Sequence, residues 1–155
     1  LVARSEDYDP DWLVGRIGQA AVASGQFEGL LRAINSVLPG VFLSPSAHFW
    51  LAQAYEGLSD QTGKERELAI AGLVTAKLLG SGDGTEGRPY RVLMIQDEYD
   101  IVAALGEVPH ATQLVRSEGR VCDVVHCDEK SYWFELEWWP RDSDGDQSGA
   151  TSKPK

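Results

Sequence analysis

Apolar residues recur at helical three-and-four spacing through the first half of the chain, and in the last third they alternate as strands do. Leu13, Ile17, Ala20 and Ala21 form one stripe, and Phe27, Leu30, Leu31, Ile34, Val37 and Leu38 a broader one. His48, Leu51, Tyr55 and Leu58 share a third face, and Leu68, Gly72, Thr75, Ala76 and Leu79 line a fourth. The residues between the stripes punctuate four helices. Asp9-Pro10-Asp11 predicts an N-cap followed by a proline in the first turn, where a missing N–H costs nothing, and Ser44-Pro45 repeats the device. Ser24-Gly25 and Gly80 close the first and fourth helices, and Pro39-Gly40 stops the second. Thr62 with Glu65 predicts a capping box at the start of the fourth.

Laid together, the first and third helices show a repeat. Ile17-Gly18-x-x-Ala21 and Leu51-Ala52-x-x-Tyr55 stand thirty-four residues apart, and Ala20 matches Ala54 at the same offset. That is the period of the tetratricopeptide hairpin, in which small residues let paired helices approach closely. Two such hairpins leave an apolar end bare, so something has to cover Leu68 to Leu79.

The cover is expected after residue 88. Tyr90 to Ile95 reads as a buried strand. Asp97-Glu98-Tyr99 opens a short helix with Asp97 as N-cap, and Ile101, Ala104 and Leu105 turn inward. Gln113 to Val115 is a short strand. Arg120 to His126 and Tyr132 to Trp139 form a hairpin across Asp128-Glu129-Lys130. Along the final strand Tyr132, Phe134, Leu136 and Trp138 share one face, and Trp133, Glu135, Glu137 and Trp139 the other. The expected fold is α+β: two tetratricopeptide-like helical hairpins (residues 1–80) packed on a small antiparallel β-meander with one short helix (81–140). The polar stretch 141–155 has the composition of a disordered tail.

The order Ser81-Gly82-Asp83-Gly84, strand Tyr90 to Ile95, Asp97-Glu98-Tyr99, Leu105-Gly106, Gln113-Leu114-Val115, Cys122-Asp123 and Tyr132-Trp133-Phe134 resembles the closing half of an uncharacterised bacterial family, catalogued as domain of unknown function 4919. The resemblance covers roughly residues 25 to 138, and the chain departs from it in the spacer Thr85 to Arg88 and in the Trp-rich ending. It implies a helical region of tetratricopeptide look before the strands, and no reaction.

Charge narrows the function. The chain carries a formal net charge of -10, and residues 81–140 hold seven more acidic than basic groups. Such a surface repels phosphate backbones, which argues against nucleic-acid binding and suits a basic protein partner. No apolar run is long enough to span a membrane. Two cysteines at odd spacing in a strand do not make a disulfide framework, and reduced thiols favour a cytoplasmic setting. With no initiator Met at position 1, a removed leader stays open.

The chemical motifs mostly dissolve into structure. Ser81 to Gly84 follows a helix, lacks a lysine and carries Asp83 where a phosphate would sit, so Asp83 and Gly84 are expected to build a turn. Asp97, Glu98 and Tyr99 are accounted for by the start of the short helix. Cys122, His126 and Cys127 do not converge as zinc ligands, and Asp142, Asp144 and Asp146 mimic a calcium loop without its final glutamate. His48 is expected at the edge of the core and His110 in a loop. No catalytic residue, metal or cofactor is expected. The expected function is a non-catalytic protein-binding scaffold whose candidate contact residues are Trp133, Glu135, Glu137 and Trp139. The alternative is a hydrolase or carbohydrate-binding domain using the same face, since aromatic rings stack on sugars and paired carboxylates do acid–base work.

Overall fold

The computed structural model describes residues 10–117 and 119–137. Four helices, α1 (Pro10–Ser24), α2 (Phe27–Val41), α3 (Pro45–Gly57) and α4 (Gln61–Leu79), come first. They are followed by β1 (Tyr90–Val92), α5 (Ile95–Ala104), β2 (Pro109–Ser117), β3 (Arg120–Cys127) and β4 (Ser131–Leu136). The expected α+β class is the one the chain adopts. Asp9 and the stretch from Trp138, including Trp139 and the tail, lie outside the described residues.

The helical half is centred on α3, which packs against α1, α2 and α4. Its core joins Ala21, Leu30, Ile34, Ala47, Leu51 and Ala54. At the thirty-four-residue spacing Gly18 and Ala52 are both buried, and a Cβ on Gly18 would collide with the indole of Trp50, whereas Ile17 and Ala20 are exposed where Leu51 and Ala54 are buried. Ser44 caps α3, its side chain accepting the N–H of Ala47 at 3.4 Å, with Pro45 in the first turn as expected.

Two helix ends differ from expectation. Helix α2 runs through Pro39 and Gly40 to Val41. A proline this close to the C-terminus removes one hydrogen bond, and the extra turn buries Val41. Helix α4 is capped by Asp60, whose carboxylate accepts the Gly63 N–H at 2.9 Å, and not by Thr62. Ser59, at φ 61°, reverses the chain directly after α3, so α4 begins two residues earlier than the Thr62–Glu65 pattern suggests.

The buried side of α4 is also not the expected one. Gly63 and Glu67 are buried and Ile70, Ala71, Val74 and Leu78 half-buried, whereas Leu68, Gly72 and Ala76 face outward. Gly63 lies under the ring of Tyr55, where a Cβ would come within 2.6 Å, and Glu67 bonds His48. These two contacts set the rotation of the helix.

The sheet has the order β1-β4-β3-β2. β3 pairs antiparallel with both β2 and β4, but β1 runs parallel to β4, with Tyr90 beside Phe134 and Val92 beside Leu136. The sheet is therefore mixed, not the antiparallel meander expected. β1 docks on the edge that β4 leaves free, and the direction of approach from α4 fixes it as parallel. β1 ends at Val92; Leu93 is exposed, Met94 takes the N-cap position and Ile95 starts α5. Asp97 thus sits at the third helical position, where its Oδ2 accepts the N–H groups of Met94 at 3.0 Å and Leu93 at 3.2 Å. β2 extends well beyond Gln113 to Val115 and carries His110 on a strand, not in a loop. It is an edge strand, so Pro109 is tolerated at its start.

One sheet face packs on α5, with Tyr90, Val92, Ile101, Val102, Val125, Phe134 and Leu136 as its core. Three ties join the halves. Leu78 and Leu79 pack into the sheet core, and Met94 into the helical core. The carboxylate of Asp100 accepts the Ser46 backbone N–H at 3.0 Å and the Ser46 hydroxyl at 2.6 Å, at the start of α3.

Candidate functional site

The alternation along β4 places the candidate contact residues on the sheet face turned away from α5, but it does not leave them equally open. Trp133 is half-buried opposite Val124, and Glu135 is 7 % exposed beside Cys122. Glu137, just past the strand, is exposed and ion-paired with Arg91. One carboxylate is thus withdrawn and the other engaged by a guanidinium.

The turn residues behave as their chemistry suggests. Asp83 Oδ1 accepts the Thr85 hydroxyl at 2.7 Å and the Thr85 N–H at 3.1 Å; the hydroxyl bond leads in holding the carboxyl below its ordinary range. Gly84 stands at φ +77°, and a Cβ there would come within 2.8 Å of Tyr90 and 2.9 Å of Tyr132. Both the backbone angle and the two rings require glycine at that position. Glu98 is fully buried, and the half-exposed Tyr99 reaches toward Thr112 of β2.

Nucleophilic and metal chemistry find little footing among the described residues. Cys122 is buried on one face of β3, and burial pushes its thiol up, away from the thiolate form. Cys127 lies on the other face, against the sheet core. His126 Nδ1 pairs with the Ser131 hydroxyl at 2.8 Å, and His110 with Asp128 at 2.6 Å.

The feature missing from the sequence reading is a groove where the two halves meet. Its cavity of about 210 Å³ is lined by Pro39 in the last turn of α2, by Phe42 and Leu43 just after that helix, by Leu93 and Met94 of the β1–α5 connection, and by Asp97 in the first turn of α5. Phe42, Leu43 and Leu93 are 50 %, 53 % and 40 % exposed. A signal for it exists in the sequence: Val41-Phe42-Leu43 is an apolar run directly after the helix stop expected at Pro39-Gly40, where polar residues are the rule.

Beneath the groove lies a buried polar clamp. His48 is 1 % exposed, so it belongs to the interior rather than the core edge. Its Nε2 donates to the Phe42 carbonyl at 2.8 Å, and its Nδ1 meets Glu67 Oε2 at 2.7 Å. The Phe42 ring stands edge-on to the imidazole, with centroids 5.5 Å apart. Glu67 also binds Arg66 through Oε1 at 2.9 Å. Helix α4 thereby fixes the residue whose ring forms one wall of the groove.

Comparison with known proteins adds no relative: no family model, no curated protein and no solved structure matches the chain. Among the described residues, no helix is long and apolar enough to cross a membrane.

Proposed function

We propose that the chain is a non-catalytic protein-binding domain whose groove between the helical and sheet halves takes an apolar segment of a partner, flanked by basic residues. The carrying observation is that three exposed apolar side chains, Phe42, Leu43 and Leu93, converge on one concave site at the junction of the two cores. The net charge of -10 and Asp97 at the groove wall favour a cationic flank over an anionic one. In this reading the helical half is a pair of tetratricopeptide-like hairpins, and the chain a bacterial relative of the domain-of-unknown-function 4919 family working in the cytoplasm. The spacing of Gly18 and Ala52 and the order of motifs in the second half support that assignment. Trp133 and Glu137 serve as a secondary contact surface. The sugar-directed alternative has less behind it, because Glu135 is buried and Glu137 is held by Arg91.

The test is a displayed peptide library selected against the immobilised protein. Enrichment of apolar, Lys/Arg-flanked peptides that lose binding at least about tenfold to Leu43→Asp or Leu93→Asp supports the reading. Peptides that bind these variants unchanged, or a glycan array giving saturable binding lost in Trp133→Ala, would overturn it.

A further inference from the structure

The outward face of α4 is open among the described residues. Leu73 is 72 % exposed and Leu68 40 %, and Ala69, Gly72 and Ala76 are exposed between them. At helical spacing these five positions fall within a sector of about 140°, with the two leucines as rims and the small residues as floor. Among the described residues nothing stands within 4 Å of where a Cβ on Gly72 would be, and its φ is not positive. Inside a helix, glycine costs about 1 kcal/mol relative to alanine. A second helix approaching along this floor is what that glycine accommodates, since interaxial distance is set by the side chains at the contact.

Charge identifies the second helix. Glu65 lies on this face near the start of α4 and Lys77 beside it in the last turn, equidistant from position 71; Ala69 and Leu73 are symmetric about the same point. We propose that two copies of the chain pair through α4, antiparallel about a twofold axis at that midpoint. Glu65 of each copy then faces Lys77 of the other, and Leu73 of each covers Ala69 of the other, the self-complementarity that a twofold contact demands. The only other acid of α4, Glu67, points inward to His48. Two chains of charge -10 repel as wholes, so their meeting surface has to be locally balanced; here Glu65 offsets Lys77, and the neighbouring Arg66 is paired with Glu67. The contact is separate from the groove and does not depend on the groove's having a partner.

Sedimentation equilibrium of the full chain from about 1 μM to about 1 mM tests the pairing. A monomer–dimer equilibrium is expected, weakened at least about tenfold by Glu65→Lys or by Lys77→Glu alone and largely recovered when both are exchanged. Gly72→Leu is expected to remove the dimer while the circular dichroism spectrum keeps its helical form, because its own chain leaves room for the side chain. A monomer throughout the range overturns the proposal. So does a dimer indifferent to the charge exchanges, or one weaker in the double variant than in either single one.

Discussion

At the scale of single residues, the interior of the helical half is organised by a polar pair, His48 and Glu67, that periodicity alone could not find. His48 falls on the predicted apolar face of α3 and is legible there as an inward residue. Its partner is nineteen positions away on a helix whose rotation the sequence pattern misassigned. The pair is costly to break singly. Removing the imidazole leaves a carboxylate that is 7 % exposed, with Arg66 still paired to it, and such losses cost about 3–5 kcal/mol. Arg66 keeps its bond to Glu67 Oε1 and compensates in part, which places His48→Leu near the lower end, about 3 kcal/mol, in urea unfolding. His48→Leu combined with Glu67→Met should recover most of that loss, because an apolar pair of similar volume carries no desolvation penalty. If the double variant is as unstable as the sum of the singles, the pair is not coupled as described.

At the scale of elements, the helices were readable wherever a side chain signals its own backbone state, as at Ser44-Pro45 and at Gly25 with φ +70°. They were misread where the deciding partner is remote. The apolar pattern of α4 is nearly symmetrical around its axis, so the small space under Tyr55 and the bond to His48 selected the buried side. β1 has three paired residues and no intrinsic direction; its parallel alignment follows from the path of the chain between α4 and β4. The role of Asp100 is hidden by the same locality. Its carboxylate is spent across the junction on Ser46, fifty-four residues earlier, which no local pattern records. Burial pushes the Asp100 carboxyl above its ordinary range, and the bonds from Ser46 and Gln96 only partly oppose this. An acid whose folded pKa is raised binds more protons folded than unfolded, so its contribution to stability falls as pH rises from its unfolded value, about 4, through the raised folded value. In Asp100→Asn that fall is absent. The difference in unfolding free energy, wild type minus variant, should therefore decrease across the pH range just above 4, and a flat or rising difference would show that burial does not govern this group.

At the scale of the whole molecule, the two halves share their interior as well as their boundary. Met94, from the segment leading into α5, is packed into the helical core, while Leu78 and Leu79, the last turn of α4, complete the sheet core. Each half is therefore missing apolar surface that the other supplies. The sheet half shields the C-terminal turn of α4 in this way but leaves Leu68 and Leu73 uncovered, so it acts as a partial cap rather than the full shield that the repeat pattern called for. This division predicts the behaviour of a fragment. A chain stopped at Gly80 retains α1 to α4 and the His48–Glu67 pair, yet loses the packing of Met94, the sheet beneath Leu78 and Leu79, and the Asp100 carboxylate that holds the N-terminal turn of α3. Fully burying a side chain of leucine or methionine size contributes about 1.5–3 kcal/mol, and these three are half-buried, so their loss together removes a sizeable part of the stability of a small domain. The fragment is expected to keep helical circular dichroism but to melt broadly, whereas the full chain unfolds in one transition with α3 and β3 amides reaching the same maximal protection from hydrogen exchange. A fragment that melts as sharply, and at the same temperature, as the intact chain would show that the halves are independent. The groove at their junction would then have to be regarded as a seam between two separate bodies, and binding there would be expected to draw them together rather than to fill a site already formed.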